Sequence, residues 1–114
     1  MTTAPRDAIP LTFAEAIRSL PRAFRPEQAA DGGARVHVAA TGPEPGNWMI
    51  TVREGKCTVE KGAIPGVRPV IHVPSDVWLL IARRELAPEE AMSQGLLYFD
   101  GEPEVFHKLR SWFV

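Results

Sequence analysis

From Thr12 onward the hydrophobic positions fall into two periods, and the changes between them mark the elements. Phe13, Ala16, Ile17 and Leu20 recur at helical spacing. Thr12-Phe-Ala-Glu15 precedes them as a capping box, in which the threonine hydroxyl accepts from the Glu15 amide and the Glu15 side chain reaches back. This predicts a first helix broken by Pro21, with Phe24 extending its apolar contact. After the turn-forming Asp31-Gly32-Gly33 the period becomes two. Val36, Val38 and Ala40 alternate with His37, Ala39 and Thr41, and after Gly42-Pro43-Glu44-Pro45-Gly46, Trp48, Ile50 and Val52 alternate with Met49, Thr51 and Arg53. Glu54-Gly55 turns the chain into a third strand, Cys57 to Glu60. Val70 to Val73, flanked by prolines, gives a fourth strand, and Leu96 to Phe99 a fifth.

Two short helices are expected between the last two strands. Ser75 can cap the first, whose body Val77 to Ala82 is apolar all round and should therefore be covered on every side. Pro88 starts the second, Glu89 and Glu90 sit near its positive end, and Gly95 lies just past its finish. A last helix from about Glu102 carries Val105, Phe106, Leu109, Trp112 and Phe113 as one broad stripe. That stripe ends at the chain terminus, where fraying is cheap, so this helix is expected to act as a movable lid.

With 114 residues, 45% of them hydrophobic, the chain suits one compact core. Residues 1–11, proline-containing and without periodicity, are expected to form a flexible tail, and 12–114 a single domain. The formal charge of -1, with no basic block, argues against nucleic acid. No apolar run approaches the roughly 20 residues needed to span a bilayer, and no signal pattern opens the chain, so a cytoplasmic location is expected. Cys57 has no cysteine partner and reads as an inert strand residue.

Candidate chemistry is sparse. His37, His72 and His107 come from different elements without metal-ligand spacing, and there is no HExxH, GxSxG or phosphate-cradling glycine loop. Glu89 and Glu90 point about 100° apart on a helix and are explained by the helix dipole. No catalytic residue, metal or cofactor is therefore expected. The unusual feature is the load of bulky apolar side chains on helices, which either pack the core or line a gap.

The order of the elements carries a resemblance. A capped helix, hairpin strands with Gly46-Asn-Trp-Met-Ile-Thr-Val-Arg-Glu-Gly-Lys56, a Pro74-Ser-Asp-Val-Trp78 helix, and Leu86-Ala-Pro-Glu-Glu-Ala-Met-Ser-Gln-Gly-Leu-Leu-Tyr-Phe-Asp-Gly101 together resemble the sterol carrier protein type 2 domain, from about Phe13 to Phe113. Asp100-Gly101 inverts a Gly-acidic order frequent in that family. The ending Ser-Trp-Phe-Val is no peroxisomal address, and the Ala-, Arg- and Pro-rich composition suits a stand-alone bacterial member.

The resemblance implies an α+β fold, a five-stranded mainly antiparallel sheet with helices on one face, enclosing an apolar tunnel. Strand alternation then turns Leu97 and Phe99 inward. Phe13, Ile17, Leu20, Trp78, Ile81 and Met92 would line the tunnel with them, as would Phe106, Leu109, Trp112 and Phe113. Gln94 would be either a polar handle for a headgroup or a capping, solvent-facing residue. The implied function is non-enzymatic binding and transfer of a hydrophobic ligand, such as a fatty acid, acyl-CoA, isoprenoid or sterol-like lipid. The alternative is an accessory or dimerising module for a lipid-modifying or lipid-quinone biosynthetic enzyme. The oligomeric state is left open.

Overall fold

The computed structural model describes residues 11–29 and 33–113. Residues 1–10 of the expected tail, Asp31 and Gly32 of the expected turn, and Val114 lie outside the described residues. The elements run α1 (Phe13–Arg18), α2 (Leu20–Ala23), a 3-10 turn (Pro26–Ala29), β1 (Ala34–Thr41), β2 (Gly46–Arg53), β3 (Lys56–Lys61), β4 (Val70–Pro74), α3 (Ser75–Ala82), α4 (Pro88–Ser93), β5 (Tyr98–Asp100) and α5 (Pro103–Phe113). The fold is α+β, as expected, with one five-stranded sheet in the order β3-β2-β1-β4-β5. The pair β1–β4 is parallel and the other three pairs are antiparallel.

Register puts the alternating apolar residues on one face. Val36 pairs with Ile50 and Val38 with Trp48, Ile50 continues to Val59, and across the parallel pair Val38 meets Ile71 and Ala40 meets Val73. Ile71 then pairs with Phe99. This face carries the core, whereas His37, Thr51, Thr58, Glu60, His72 and Tyr98 project from the other. Phe13 seats α1 on the core face, its ring edge-on to Trp48 at 6.3 Å and to Trp78 at 6.0 Å between centroids.

Helix boundaries follow local chemistry; the break near Pro21 is as expected, and two capping expectations are revised. The first helix breaks at Ser19, before Pro21, because the proline ring has no room beside the carbonyl four residues back. Thr12 Oγ accepts from Glu15 N at 3.1 Å, but the Glu15 carboxylate reaches one residue further than a standard box, to Leu11 N at 2.9 Å. Ser75 is the first residue of α3 and makes no cap; its hydroxyl accepts from the Glu44 amide at 2.9 Å. Glu44 in turn directs its carboxylate to the amides of Phe13 (2.8 Å) and Ala14 (3.4 Å), adding a second cap to α1.

The fifth strand starts later than expected, at Tyr98, because the Leu96 and Leu97 amides are spent on the Ala91 carbonyl at the end of α4. Leu97 and Phe99 are nevertheless buried while Tyr98 is 63% exposed. Gly101 owes its identity to room: an added Cβ would lie 2.7 Å from Pro69 Cβ. At the other end of α5, Trp112 is 1% exposed, its carbonyl accepts from Arg25 N at 2.7 Å, and Phe113 packs on Phe24 at 5.6 Å.

Two outcomes follow from these contacts. Ser75→Ala leaves the Glu44 amide without its acceptor and should lower the unfolding free energy by about 1–2 kcal/mol, read by urea titration; an unchanged midpoint would remove the serine from this junction. Deleting residues 110–114 takes away Trp112, whose loss alone is worth about 3–5 kcal/mol of the roughly 5–15 available to a domain. The truncated protein should therefore lose its cooperative melting transition, where the lid expectation required a folded protein with faster ligand release. A truncated form that melts cooperatively near the intact one would restore the lid.

Candidate functional site

Between the sheet and the helical layer lies a cavity of about 470 Å³. Val36, Ile50 and Ile71, from three adjacent strands, form its floor. Its helical side is made by Ala16, Leu20 and Ala23 from the first two helices and by Trp78, Ile81 and Ala82 from α3. The link into α4, with Leu86 and Pro88, and then Leu97, Phe106, Leu109 and Phe113 close the circuit. Small residues create the space: where Ala16, Ala23 and Ala82 stand, a helix bearing larger side chains would fill the gap above the floor.

Of the residues expected to line a tunnel, Leu20, Trp78, Ile81, Leu97, Phe106, Leu109 and Phe113 come together on this wall. Phe13, Ile17, Phe99 and Trp112 lie behind it in the solid core, at 2%, 0%, 8% and 1% exposure, because their rings and methyls meet other side chains on all sides. Phe99 packs on Phe106, which lines the cavity, at 5.2 Å between ring centroids. Met92 packs half-buried against the core. Gln94 is exposed at the C-cap of α4, which takes its capping alternative and places it off the cavity wall. Helix α3 departs from full coverage: Val77 is buried, Trp78 and Ile81 face the cavity, and Leu80 is 39% exposed.

The polar part of the wall comes from Ser19, Arg84 and Arg110, none of which stood out in the sequence. The Ser19 hydroxyl donates to the Ala16 carbonyl at 2.7 Å. Arg110 makes a two-point contact with Glu89, Nε to Oε2 at 2.7 Å and a terminal nitrogen to Oε1 at 3.1 Å, joining α5 to α4. The hydrogen bond from that guanidinium holds the Glu89 carboxyl below its usual range and raises Arg110 in return. A depressed carboxyl contributes stability above its ordinary pKa of about 4.3 and loses it as the pH falls through the folded value. The pair is partly exposed, so its worth is about 0.2–1 kcal/mol.

The other titratable candidates lie elsewhere. His37, 2.8 Å from Asn47 Oδ1, and His72, beside Tyr98, occupy the opposite face of the sheet, and His107 is exposed on α5. Burial pushes the Cys57 thiol up to about 11, which keeps it protonated at neutral pH. Among the described residues no group of three or more His, Cys, Asp or Glu side chains is placed to hold a metal, and no helix is long and apolar enough to cross a membrane.

Comparison with known structures gives the same architecture in two settings. A stereoselective inverting sec-alkylsulfatase from Pseudomonas sp. contains it, with a TM-score of 0.71 and 21% identity over 90% of this chain, which spans only 16% of the sulfatase. The palmitated sterol carrier protein 2-like 2 of Aedes aegypti matches at a TM-score of 0.70 and 16% identity, covering 87% of this chain and 91% of that one. Sterol carrier protein-2 of the same mosquito, in complex with a C16 fatty acid, matches at 0.64 and 14% identity, covering 92% and 97%. No curated protein sequence matches the chain. The model of the SCP-2 sterol transfer family matches residues 14–114, nearly all of the sequence whose folding is described above, and the chain belongs to that family.

Proposed function

We propose that the protein binds a long-chain hydrophobic ligand in the cavity and transfers or presents it without chemical change. The observation that carries this is the cavity itself: about 470 Å³, within the range of small-molecule sites, with an aliphatic and aromatic wall. Fatty acyl, isoprenoid and sterol-like lipids all suit a wall that selects by shape. A 16-carbon chain leaving water gains about 12 kcal/mol at roughly 0.8 per methylene, and association costs on the order of 4 or more, which leaves room for micromolar affinity. The fatty-acid complex of the mosquito carrier supports the same ligand class for this chain. Catalysis is not part of this reading, since the polar groups on the wall are a serine donating to its own helix and two arginines.

A second reading has its own support. The match to one part of a sec-alkylsulfatase, whose full length is far greater, favours an accessory role in which such a domain serves an enzyme rather than a free lipid. Lipid retention separates the two: native mass spectrometry of protein purified from its own host should show a bound lipid for a carrier, and a bare chain that still assembles with an enzyme for a module.

Trp78 supplies the direct readout, because it alone of the three tryptophans lies on the cavity wall, while Trp48 and Trp112 are 4% and 1% exposed in the core. Titration with a C16 fatty acid should change the tryptophan emission, and Trp78→Phe should abolish most of that change with the fold intact by circular dichroism. An emission that stays flat while a fluorescent fatty acid demonstrably binds would place the ligand somewhere other than this cavity.

A further inference from the structure

Helices α3 and α4 end in the same backbone motif, and only one of them uses the residue that the motif favours. At the end of α4 the Gly95 amide donates to the Met92 carbonyl (3.1 Å) and the Leu96 amide to the Ala91 carbonyl (2.8 Å), with Gly95 at φ +75°. At the end of α3 the Arg84 amide donates to the Ile81 carbonyl (3.0 Å) and the Glu85 amide to the Leu80 carbonyl (2.9 Å), with Arg84 at φ +62°. Both are Schellman endings, whose left-handed position suits glycine because a Cβ there crowds the carbonyl. Arginine is less favourable than glycine in that position, which makes its side chain worth following.

Arg84 is exposed and lines the cavity, where it, Ser19 and Arg110 are the residues that break the apolar circuit. The neighbouring charges are already opposed: Arg110 by Glu89 at 2.7 Å, and Arg83 by Glu85 at 3.4 Å. Among the described residues no ion pair or side-chain hydrogen bond engages the Arg84 guanidinium. The cavity is thus lined mostly by apolar residues, and Arg84, itself exposed to solvent, adds one unopposed positive charge at its edge. We infer that its ligand is an amphiphile with an anionic head, a long-chain carboxylate rather than a neutral sterol or alcohol, and that Arg84 is the residue that selects the head. A guanidinium presents parallel N–H donors to the two oxygens of a carboxylate, and a charge-assisted bond at the edge of an apolar site is stronger than one in open water. The inference rests on the lipid-binding reading and narrows it to one headgroup chemistry.

The test compares two probes of equal chain length, palmitate and hexadecanol, by equilibrium displacement of a fluorescent fatty acid from intact protein and from Arg84→Gly and Arg84→Lys. The native protein should prefer palmitate. Arg84→Gly should shrink that preference roughly tenfold, the scale of one charged hydrogen bond, while its melting temperature holds or rises as the left-handed position receives glycine. Arg84→Lys, keeping charge without the fork, should fall between. Opposite movement of headgroup preference and thermal stability is what separates a ligand-selecting role from a structural one. If native protein binds the two probes equally, or Arg84→Gly keeps the full palmitate preference, the headgroup inference is overturned while lipid binding stands. If neither probe displaces the dye and native protein retains no lipid, both fail together.

Discussion

The Glu44 side chain is the joint on which the helical layer is hung. Its carboxylate holds the first amides of α1, while its own amide is held by the hydroxyl of Ser75, the first residue of α3. One residue of the β1–β2 turn therefore fixes the starting points of two helices over the same sheet. A charge-assisted acceptor at a helix start, backed by a hydroxyl that is 2% exposed, sets that spacing more firmly than apolar packing alone. Phe13, held at the start of α1, then inserts its ring between Trp48 of the sheet and Trp78 of α3. With both helices set by this junction, the space left beside it, over Val36, Ile50 and Ile71, has a fixed outline.

How much of this was readable in the sequence depended on what kind of signal each feature leaves. Strands β1 and β2 were legible residue by residue, because burial on one face forces alternation and the register keeps it: Val36 opposite Ile50, Val38 opposite Trp48. The ends of α4 and α5 were equally plain from Pro88, Gly95 and the wide apolar stripe. Features made by distant partners were not. Nothing local says that Ser75 will abandon its cap position for an amide 31 residues earlier in the chain, or that Leu96 will be drawn back to Ala91 and shorten β5.

The cavity wall was legible only in half, for a reason that inverts intuition. Large side chains attract attention as candidate liners, but large side chains fill space, and Phe13, Ile17, Phe99 and Trp112 are buried because they succeed in doing so. A cavity forms where the chain is small at an inward position. Ala16 shared a helix face with Ile17 in the sequence pattern, and Ala23 and Ala82 passed as ordinary helix formers; together they hold the helices above the floor without filling the gap. The arginines were hidden for a different reason. Charged residues at a helix end read as solvated, and only the folded structure places Arg84 and Arg110 on the lining of the cavity.

The way each element is held also says where the cavity can yield. The C-terminal helix has Phe106, Leu109 and Trp112 buried, and the Trp112 carbonyl tied to Arg25. Helix α4 is six residues long with Ala91 as its buried residue, and its visible tie to α5 is the partly exposed Glu89–Arg110 pair. An aromatic residue in a solid core is worth several times such an ion pair, roughly 3–5 kcal/mol against 0.2–1. Local opening draws on the elements with the fewest buried contacts, so under the proposed lipid binding the rim formed by the end of α3, the link through Leu86 and Pro88, and α4 is where passage would cost least. That rim is also where the chain keeps an arginine in a glycine conformation. The edge of the cavity that is cheapest to move and the edge that carries its unopposed charge are the same edge, so a ligand with a charged head would meet its selecting residue at the point of entry, before its chain is buried.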